Sequence, residues 1–134
     1  MRTATLLASV VSGLLLVLLA SCGRQFALLP PGGGQGSYTG DFKDAGGASL
    51  GTFNITVEDS GQLHGSGGLN AYTVDLRGIV TVNHVVDAFI TDEATQRTGK
   101  FAGTYTAGTL TGTWEFDPTG TQTIQGSWDA ALNP

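Results

Sequence analysis

The sequence is poor in cysteine and in basic residues, and each shortage excludes a class of function. Cys22 is the only cysteine among 134 residues, so no disulfide can form within the chain. Only six Lys and Arg residues stand against eleven Asp and Glu. No basic cluster occurs in the sequence, so binding to nucleic acid or to an anionic lipid surface has no electrostatic support. The scattered acidic residues favour solubility.

Histidine is also scarce, which leaves little material for catalysis or metal binding. His64 and His84 are the only two, and neither has the spacing from Asp or Glu that metal ligands show. The carboxylates lie in or beside predicted turns, where Asp commonly caps its own backbone. No serine has the flanking residues of a nucleophile elbow. We therefore predict no enzyme activity, no metal site and no cofactor.

One apolar run is present, and it lies near the N-terminus. Arg2 precedes a Leu-, Val- and Ala-rich stretch over residues 6–20. A membrane-spanning helix needs about 20 apolar residues, so this run is short for an anchor. Its length and flanks are typical of a secretory signal peptide. The sequence predicts a signal peptide over residues 1–21, with a spanning anchor as the less favoured interpretation.

The apolar run ends in Leu19-Ala20-Ser21-Cys22. This motif resembles the lipobox of bacterial lipoproteins: an aliphatic residue, two small residues and a cysteine. The resemblance implies that Cys22 receives a diacylglycerol and that signal peptidase cuts between Ser21 and Cys22. The new N-terminus would then carry a further fatty acyl chain, such as palmitate. The alternative is an ordinary signal peptide, cut nearby, that leaves Cys22 as a free thiol.

The resemblance also carries an expectation about location. Gly23, not Asp, follows the cysteine, which in a bacterium with two membranes implies delivery to the outer membrane. The partner implied by the motif is therefore the membrane itself, through the N-terminal lipid. The expected location is the cell envelope, with the folded domain in the periplasm or on the surface.

Residues 22–35 are predicted to be a flexible tether. The segment contains Pro30-Pro31 followed by three glycines, and it has no regular period. Phe26, Leu28 and Leu29 are unusually apolar for a linker. A position at the lipid headgroups is favoured for them over docking on the folded domain.

Residues 36–134 are predicted to form one all-β domain. Apolar residues alternate with Thr, Ser and charged residues, and no window shows helical spacing. Eight strands are expected, over residues 36–43, 50–57, 62–66, 72–82, 85–91, 99–106, 109–117 and 121–130. Short links indicate successive antiparallel hairpins. An up-and-down meander that closes into a small barrel is favoured over a β-sandwich. A membrane-spanning barrel is rejected, because it would place apolar residues outside.

A five-residue pattern recurs on these strands: large apolar, any, Gly, any, large apolar. Alternate residues share a face, so each Gly is predicted to lie beside two large side chains on the concave side of a strongly coiled sheet. The copies are Tyr38–Phe42, Leu76–Val80, Phe101–Tyr105, Leu110–Trp114 and Ile124–Trp128. This strand rhythm is similar to that of avidin and lipocalin-like barrels. No binding constellation of either family can be matched, so no binding activity carries over.

The aromatic residues leave two interpretations open. Phe101, Tyr105, Trp114 and Trp128 could line a ligand cavity, although a role as core is favoured. The sequence thus predicts a binding or structural module for a protein, a glycan or a small apolar ligand. The alternative is an envelope inhibitor of a hydrolase, acting through an exposed loop at residues 92–98.

Overall fold

A computed structural model describes residues 28–134 and places eight strands in this range. The strands are β1 (Gly36–Lys43), β2 (Ser49–Val57), β3 (Gln62–Leu69), β4 (Tyr72–Val80), β5 (Val85–Asp92), β6 (Thr98–Thr106), β7 (Thr109–Phe116) and β8 (Ile124–Leu132). The all-β prediction and the strand count are confirmed. Residues 28–134 contain no helix of the length and apolarity needed to cross a membrane.

The sheet is a closed barrel with the simplest possible connectivity. Each strand pairs antiparallel with the next, and β8 pairs with β1 to close the ring. Lys43 Nζ and Asp129 Oδ2, 2.9 Å apart, form an ion pair across this closing seam. The up-and-down barrel is therefore confirmed, and the sandwich alternative is wrong.

Most predicted strand bounds differ from the structure by one or two residues, and two strands, β3 and β8, differ by three residues at one end. β3 continues to Leu69, where the sequence favoured an end at Ser66, because Gly65 and Gly67 sit opposite Ile55 and Phe53 on the inner face. β8 begins only at Ile124, although the Thr-rich residues before it have high strand propensity. Those residues belong instead to a turn that Asp117 caps through the backbone N–H groups of residues 119 and 120.

Large side chains and glycines fill the inside of the barrel together, as the recurring pattern predicts. Trp114 lies opposite Gly126 and Trp128 lies opposite Gly112 across the β7–β8 pair. A Cβ on Gly126 would come within 3.0 Å of Trp114 Nε1, so a larger residue would occupy space that the indole uses. The alternating burial leaves mainly polar residues on the outer wall. Apolar residues therefore lie inside and polar residues outside, which is the reverse of the arrangement in a membrane-spanning barrel.

The alternating strand directions give the barrel two distinct ends. The near end is where β1 begins, and it carries the turns at residues 58–61, 81–84 and 107–108. The far end carries the turns at residues 44–48, 70–71, 93–97 and 117–123.

The chain that precedes β1 packs on the near end of the barrel. Leu29 is buried in the core cluster, and its backbone N–H donates to the carbonyl of Asp59 at 2.6 Å. Gln35 Nε2 folds back to donate to the Pro30 carbonyl at 3.0 Å. Gly34 lies against the ring of Tyr105. Residues 28–35 therefore close this end of the barrel.

This packing corrects part of the tether prediction. Leu29 docks on the domain, where the sequence favoured the lipid headgroups, because its side chain joins the buried core cluster and its N–H bonds to the Asp59 carbonyl at the near end. Leu28 remains 70% exposed, and Phe26 lies outside the described residues. The part of the 22–35 tether from residue 28 onward belongs to the barrel.

Residues 28–35, which close the near end, are called the plug below. Two neighbouring leucines in the plug give a matched test of its contribution to stability. We expect Leu29→Ala to lower the free energy of unfolding by about 2–4 kcal/mol, the usual range for truncating a buried leucine. Leu28→Ala should change it by less than about 0.5 kcal/mol, since exposed positions contribute little. Urea unfolding followed by tryptophan fluorescence measures both values. Equal effects of the two substitutions would contradict the plug.

Candidate functional site

The lipobox, with the cleavage position between Ser21 and Cys22, lies outside the described residues. It stays a prediction from sequence. The structure shows where the chain that follows Cys22 reaches the barrel: Leu28, the first described residue, lies at the near end.

Three of the four predicted cavity residues meet in one aromatic cluster inside the barrel. The rings of Phe101 and Trp128 stack, with centroids 4.1 Å apart and planes 17° apart. Phe42 meets Trp114 edge-on at 6.0 Å, and Phe53 meets Phe101 edge-on at 5.5 Å. Such offset and edge-on pairs add stabilisation beyond that from area burial. Phe101, Trp114 and Trp128 thus form part of the hydrophobic core.

Both indoles are also fixed by hydrogen bonds to the barrel wall. Trp114 Nε1 donates to the carbonyls of Lys43 and Ser127, at 3.1 and 3.0 Å. Trp128 Nε1 donates to the carbonyls of Ala102 and Thr113, each at 3.1 Å. A buried indole N–H needs such a partner. A ligand that entered between these rings would have to displace packed, hydrogen-bonded side chains.

Tyr105, the fourth predicted cavity residue, lies elsewhere. It sits at the near end, with its ring against Gly34 and 5.4 Å from the ring of His84. The structure therefore brings Phe101, Trp114 and Trp128 together and leaves Tyr105 apart from them. A ligand cavity formed by all four residues stays a prediction.

Open depressions in the described part of the chain include two at the far end of the barrel. The larger, of about 550 Å³, lies over β6–β8 beside the β1–β2 turn and is lined by Asp44, Lys100, Trp114, Glu115 and Gln125, among others. The smaller, of about 360 Å³, lies between Tyr72 and Asp92. In the larger one, Asp44 is already engaged, because its Oδ1 accepts from the N–H groups of Gly46 and Ala48.

His64 and Asp92 have local partners. His64 Nε2 lies 3.4 Å from Glu58 Oε1, and both side chains are about half exposed. Asp92, the buried acidic residue of the core region, accepts from Thr95 Oγ1 at 2.6 Å and from the Ala94 N–H. Residues 28–134 contain no group of three or more His, Cys, Asp or Glu side chains placed to hold a metal ion.

The loop proposed for an inhibitor is short and internally bonded. The turn between β5 and β6 comprises residues 93–97, all exposed, and Gln96 has a positive φ of 60°. Its backbone is held by bonds from Gln96 N–H to the Asp92 carbonyl and from Asp92 N–H to the Arg97 carbonyl. The longest turn is instead the one between β7 and β8, residues 117–123, and Arg97 packs on its Gly120.

A buried tyrosine fastens the plug to the barrel. Tyr38 Oη donates to the Gly34 carbonyl at 2.7 Å, and the residue is 1% exposed. Burial, with a smaller contribution from Tyr105, raises the pKa of Tyr38 from 10.0 to about 12. The neutral phenol is therefore the form that the folded state favours.

This shift predicts an alkaline limit to stability. A group whose pKa is raised on folding stabilises fully below its unfolded value and loses that contribution as pH rises through the folded value. The wild type should lose stability from pH 10 towards pH 12 through Tyr38. Tyr38→Phe should be less stable by about 1 kcal/mol at neutral pH, because a hydrogen bond is lost.

The difference between wild type and Tyr38→Phe should then shrink as pH rises above 10. Urea midpoints across this range measure it, and Tyr72→Phe, at the far end against Phe116, is the control. A difference that stays constant with pH would contradict a role for Tyr38 ionisation.

One surface feature was not predicted from the sequence. Of the six large hydrophobic side chains exposed within residues 28–134, four lie on the β4–β5 hairpin: Ile79, Val82, Val85 and Phe89. They are interspersed with polar and inward-facing residues in sequence, so they look like ordinary outward positions. Only the strand register brings them onto one face.

The same register places two basic residues beside this face. Arg77 on β4 and Lys100 on β6 are the cross-strand partners of Phe89 on either side. These residues are 23 positions apart, so no basic cluster is visible in the sequence. Cross-strand partners have Cβ atoms about 5 Å apart, which makes the three side chains direct neighbours.

Comparisons with known proteins give the chain no relative: no family model, no curated protein and no solved structure matches it. The functional proposals below therefore depend on the residues of this chain and on the resemblance of its N-terminal motif to a lipobox.

Proposed function

We propose that the protein is a bacterial cell-envelope lipoprotein, held on a membrane by lipid attached to Cys22. The observation that carries this proposal is the Leu19-Ala20-Ser21-Cys22 motif at the end of a secretory-type apolar run. Several acyl chains provide stable anchoring, at about 0.8 kcal/mol per buried CH₂, whereas one chain is marginal. In a bacterium with two membranes, the lack of an Asp at position 23 supports delivery to the outer one.

The barrel is proposed to act as a binding or structural module without catalysis. The stacked, hydrogen-bonded core around Trp128 supports a rigid scaffold. Ring closure supports the same role, because it leaves the barrel no unpaired sheet edge. In such a scaffold, recognition falls to the outer wall and the turns.

The direct test is the chemistry of the mature N-terminus. The full chain is expressed in a lipoprotein-processing bacterium and digested with trypsin, which cuts after Arg24. We expect a peptide of residues 22–24 that carries a diacylglycerol and an amide-linked acyl chain. An unmodified Cys22, or a mature chain that begins at another residue, would refute the proposal.

A second candidate is an envelope inhibitor of a hydrolase. The specific support is the β5–β6 turn, in which five exposed residues are held rigid by Asp92 and by backbone bonds. Rigid, preorganised loops bind with little ordering cost. Capture of a hydrolase from envelope extracts by wild type, with capture lost in Gln96→Ala but kept in Thr119→Ala, would favour this role.

A further inference from the structure

We infer that the outer face of the β4–β5 hairpin contacts the surface of the membrane. This membrane is the lipid bilayer into which the lipid on Cys22 inserts. This face, defined by Ile79, Val82, Val85 and Phe89, is called the hairpin face below. The inference deepens the proposed function and rests on lipidation of Cys22.

The hairpin face is continuous because of the strand register. Ile79 pairs with Asp87, so it lies diagonal to both Val85 and Phe89, whose side chains point to the same side. Diagonal neighbours remain within reach of long and aromatic side chains. Val82 adds the tip of the hairpin at the near end. Phe89 is 57% and Val82 54% exposed, which is unusual for apolar side chains on an otherwise polar wall.

Two basic side chains flank Phe89 on the hairpin face. Arg77 and Lys100 are its cross-strand partners on either side. Asp87 lies on the same face and Glu115 is the other cross-strand partner of Lys100, so the region carries no excess of positive charge. An aromatic side chain between two cations can enter the headgroup region while the cations meet phosphate.

The path of the chain places the hairpin face close to the membrane. Leu29 packs beside Gly61, whose carbonyl accepts from the Val80 N–H at 2.7 Å. Leu28 therefore reaches the barrel next to the β4–β5 hairpin, and not on the opposite wall. From Cys22 to Leu28 the backbone spans at most about 20 Å, at about 3.3–3.6 Å per residue. A lipid on Cys22 thus holds this side of the near end within about 20 Å of the bilayer surface.

A second copy of this chain or another protein is the competing occupant of the hairpin face. The short distance from Cys22 favours lipid, because the route of the chain holds this side of the barrel near the bilayer. The test is arranged so that a protein occupant gives a different result.

The single cysteine allows site-specific labelling of the full lipidated protein. Lipid occupies the Cys22 thiol, so Phe89→Cys, Val82→Cys and the control Ser127→Cys each carry one free thiol. Ser127 is an exposed outward residue on β8, on the opposite part of the wall. Each variant is labelled with an environment-sensitive fluorophore and reconstituted into phosphatidylethanolamine–phosphatidylglycerol vesicles. A second set of vesicles contains a phospholipid with a nitroxide quencher near its headgroup.

We expect the quencher to lower emission about two-fold at positions 89 and 82, because interfacial apolar residues lie about 5–10 Å into the headgroup boundary. Emission at position 127 should change little. Equal quenching at 89 and 127, or none at 89, would overturn the inference. A shift of emission at 89 to shorter wavelength without lipid quenching would also overturn it and would indicate a protein occupant. Circular dichroism checks that each variant retains its strands.

The same experiment shows separately whether Cys22 carries a lipid anchor. If Cys22 carries no lipid, the chain without an added cysteine will take up the fluorophore and will not float with the vesicles through its lipid. That result refutes the proposed function. Flotation of an unlabelled wild type, together with equal quenching at 89 and 127, refutes only the membrane contact of the hairpin face.

Discussion

Cys22→Ser should abolish incorporation of labelled fatty acid and leave the signal peptide uncut. Diacylglyceryl transfer needs the thiol, and the resemblance to lipoproteins implies that cleavage before residue 22 requires the lipid first. The variant should therefore retain residues 1–21, which is visible as an increase in mass. It should also be missing from the outer-membrane fraction of a bacterium with two membranes. Fractionation alone is a weaker test, because the apolar run over residues 6–20 can itself keep the uncut chain on a membrane.

The control for this experiment moves the thiol without removing it. Cys22→Ser combined with Ser127→Cys keeps one cysteine per chain but places it on β8. This double variant should behave as Cys22→Ser does, with no label and no cut. Fatty acid incorporation in either variant would show that Cys22 is not the lipidated residue.

Gly67→Ala should destabilise the barrel by about 3 kcal/mol, within the upper range for overpacking a core. A Cβ at residue 67 would lie 2.6 Å from Phe53 Cβ and 2.8 Å from Phe53 Cα, so the β2–β3 pair would have to separate. Native domains are stable by only about 5–15 kcal/mol, so this loss is a large share of the total. The midpoint of urea unfolding, followed by tryptophan fluorescence, measures it.

The adjacent glycine is the matched control. A Cβ on Gly68 would meet no atom within 4 Å, and this residue has no positive φ. Gly68→Ala should be neutral or raise stability by about 0.5–1 kcal/mol, since glycine loses more backbone entropy on folding than alanine. If Gly67→Ala and Gly68→Ala shifted the midpoint alike, glycine would not be acting as space for neighbouring side chains.

The fold was largely accessible from the sequence because its signals are local. The alternation of apolar and polar residues gives the strands, and the short turns give the hairpins. Glycines such as Gly112 and Gly126, each spaced two residues from a large side chain, indicate a strongly coiled sheet. The structure confirms the barrel that these signals predict. The end of β3 was misplaced because a Gly-rich strand has weak propensity of its own, and its partners Phe53 and Ile55 lie on another strand.

The surface features were not accessible, for a physical reason. The neighbours of Phe89 come from strands on both sides, and which residues face each other depends on the register of two hairpins. Likewise, Leu29 looks like part of a linker, and its place in the buried core cluster is visible only in the folded barrel. The proposed lipobox is the opposite case. Its chemistry is read from four consecutive residues, and no fold is needed to recognise it.

The β1–β8 seam has a consequence for the order in which the chain folds. Seven of the eight strand pairs join sequence neighbours, whereas the seam joins the two ends of the domain: the side chains of Thr39 and Asn133, 94 residues apart, lie 3.0 Å from each other. Hairpins can form within microseconds, but closing the ring carries about 2 kcal/mol more loop-closure entropy than closing a hairpin. A chain that crosses a membrane from its N-terminus can therefore form hairpins as it emerges. It becomes a barrel only when β8 has followed.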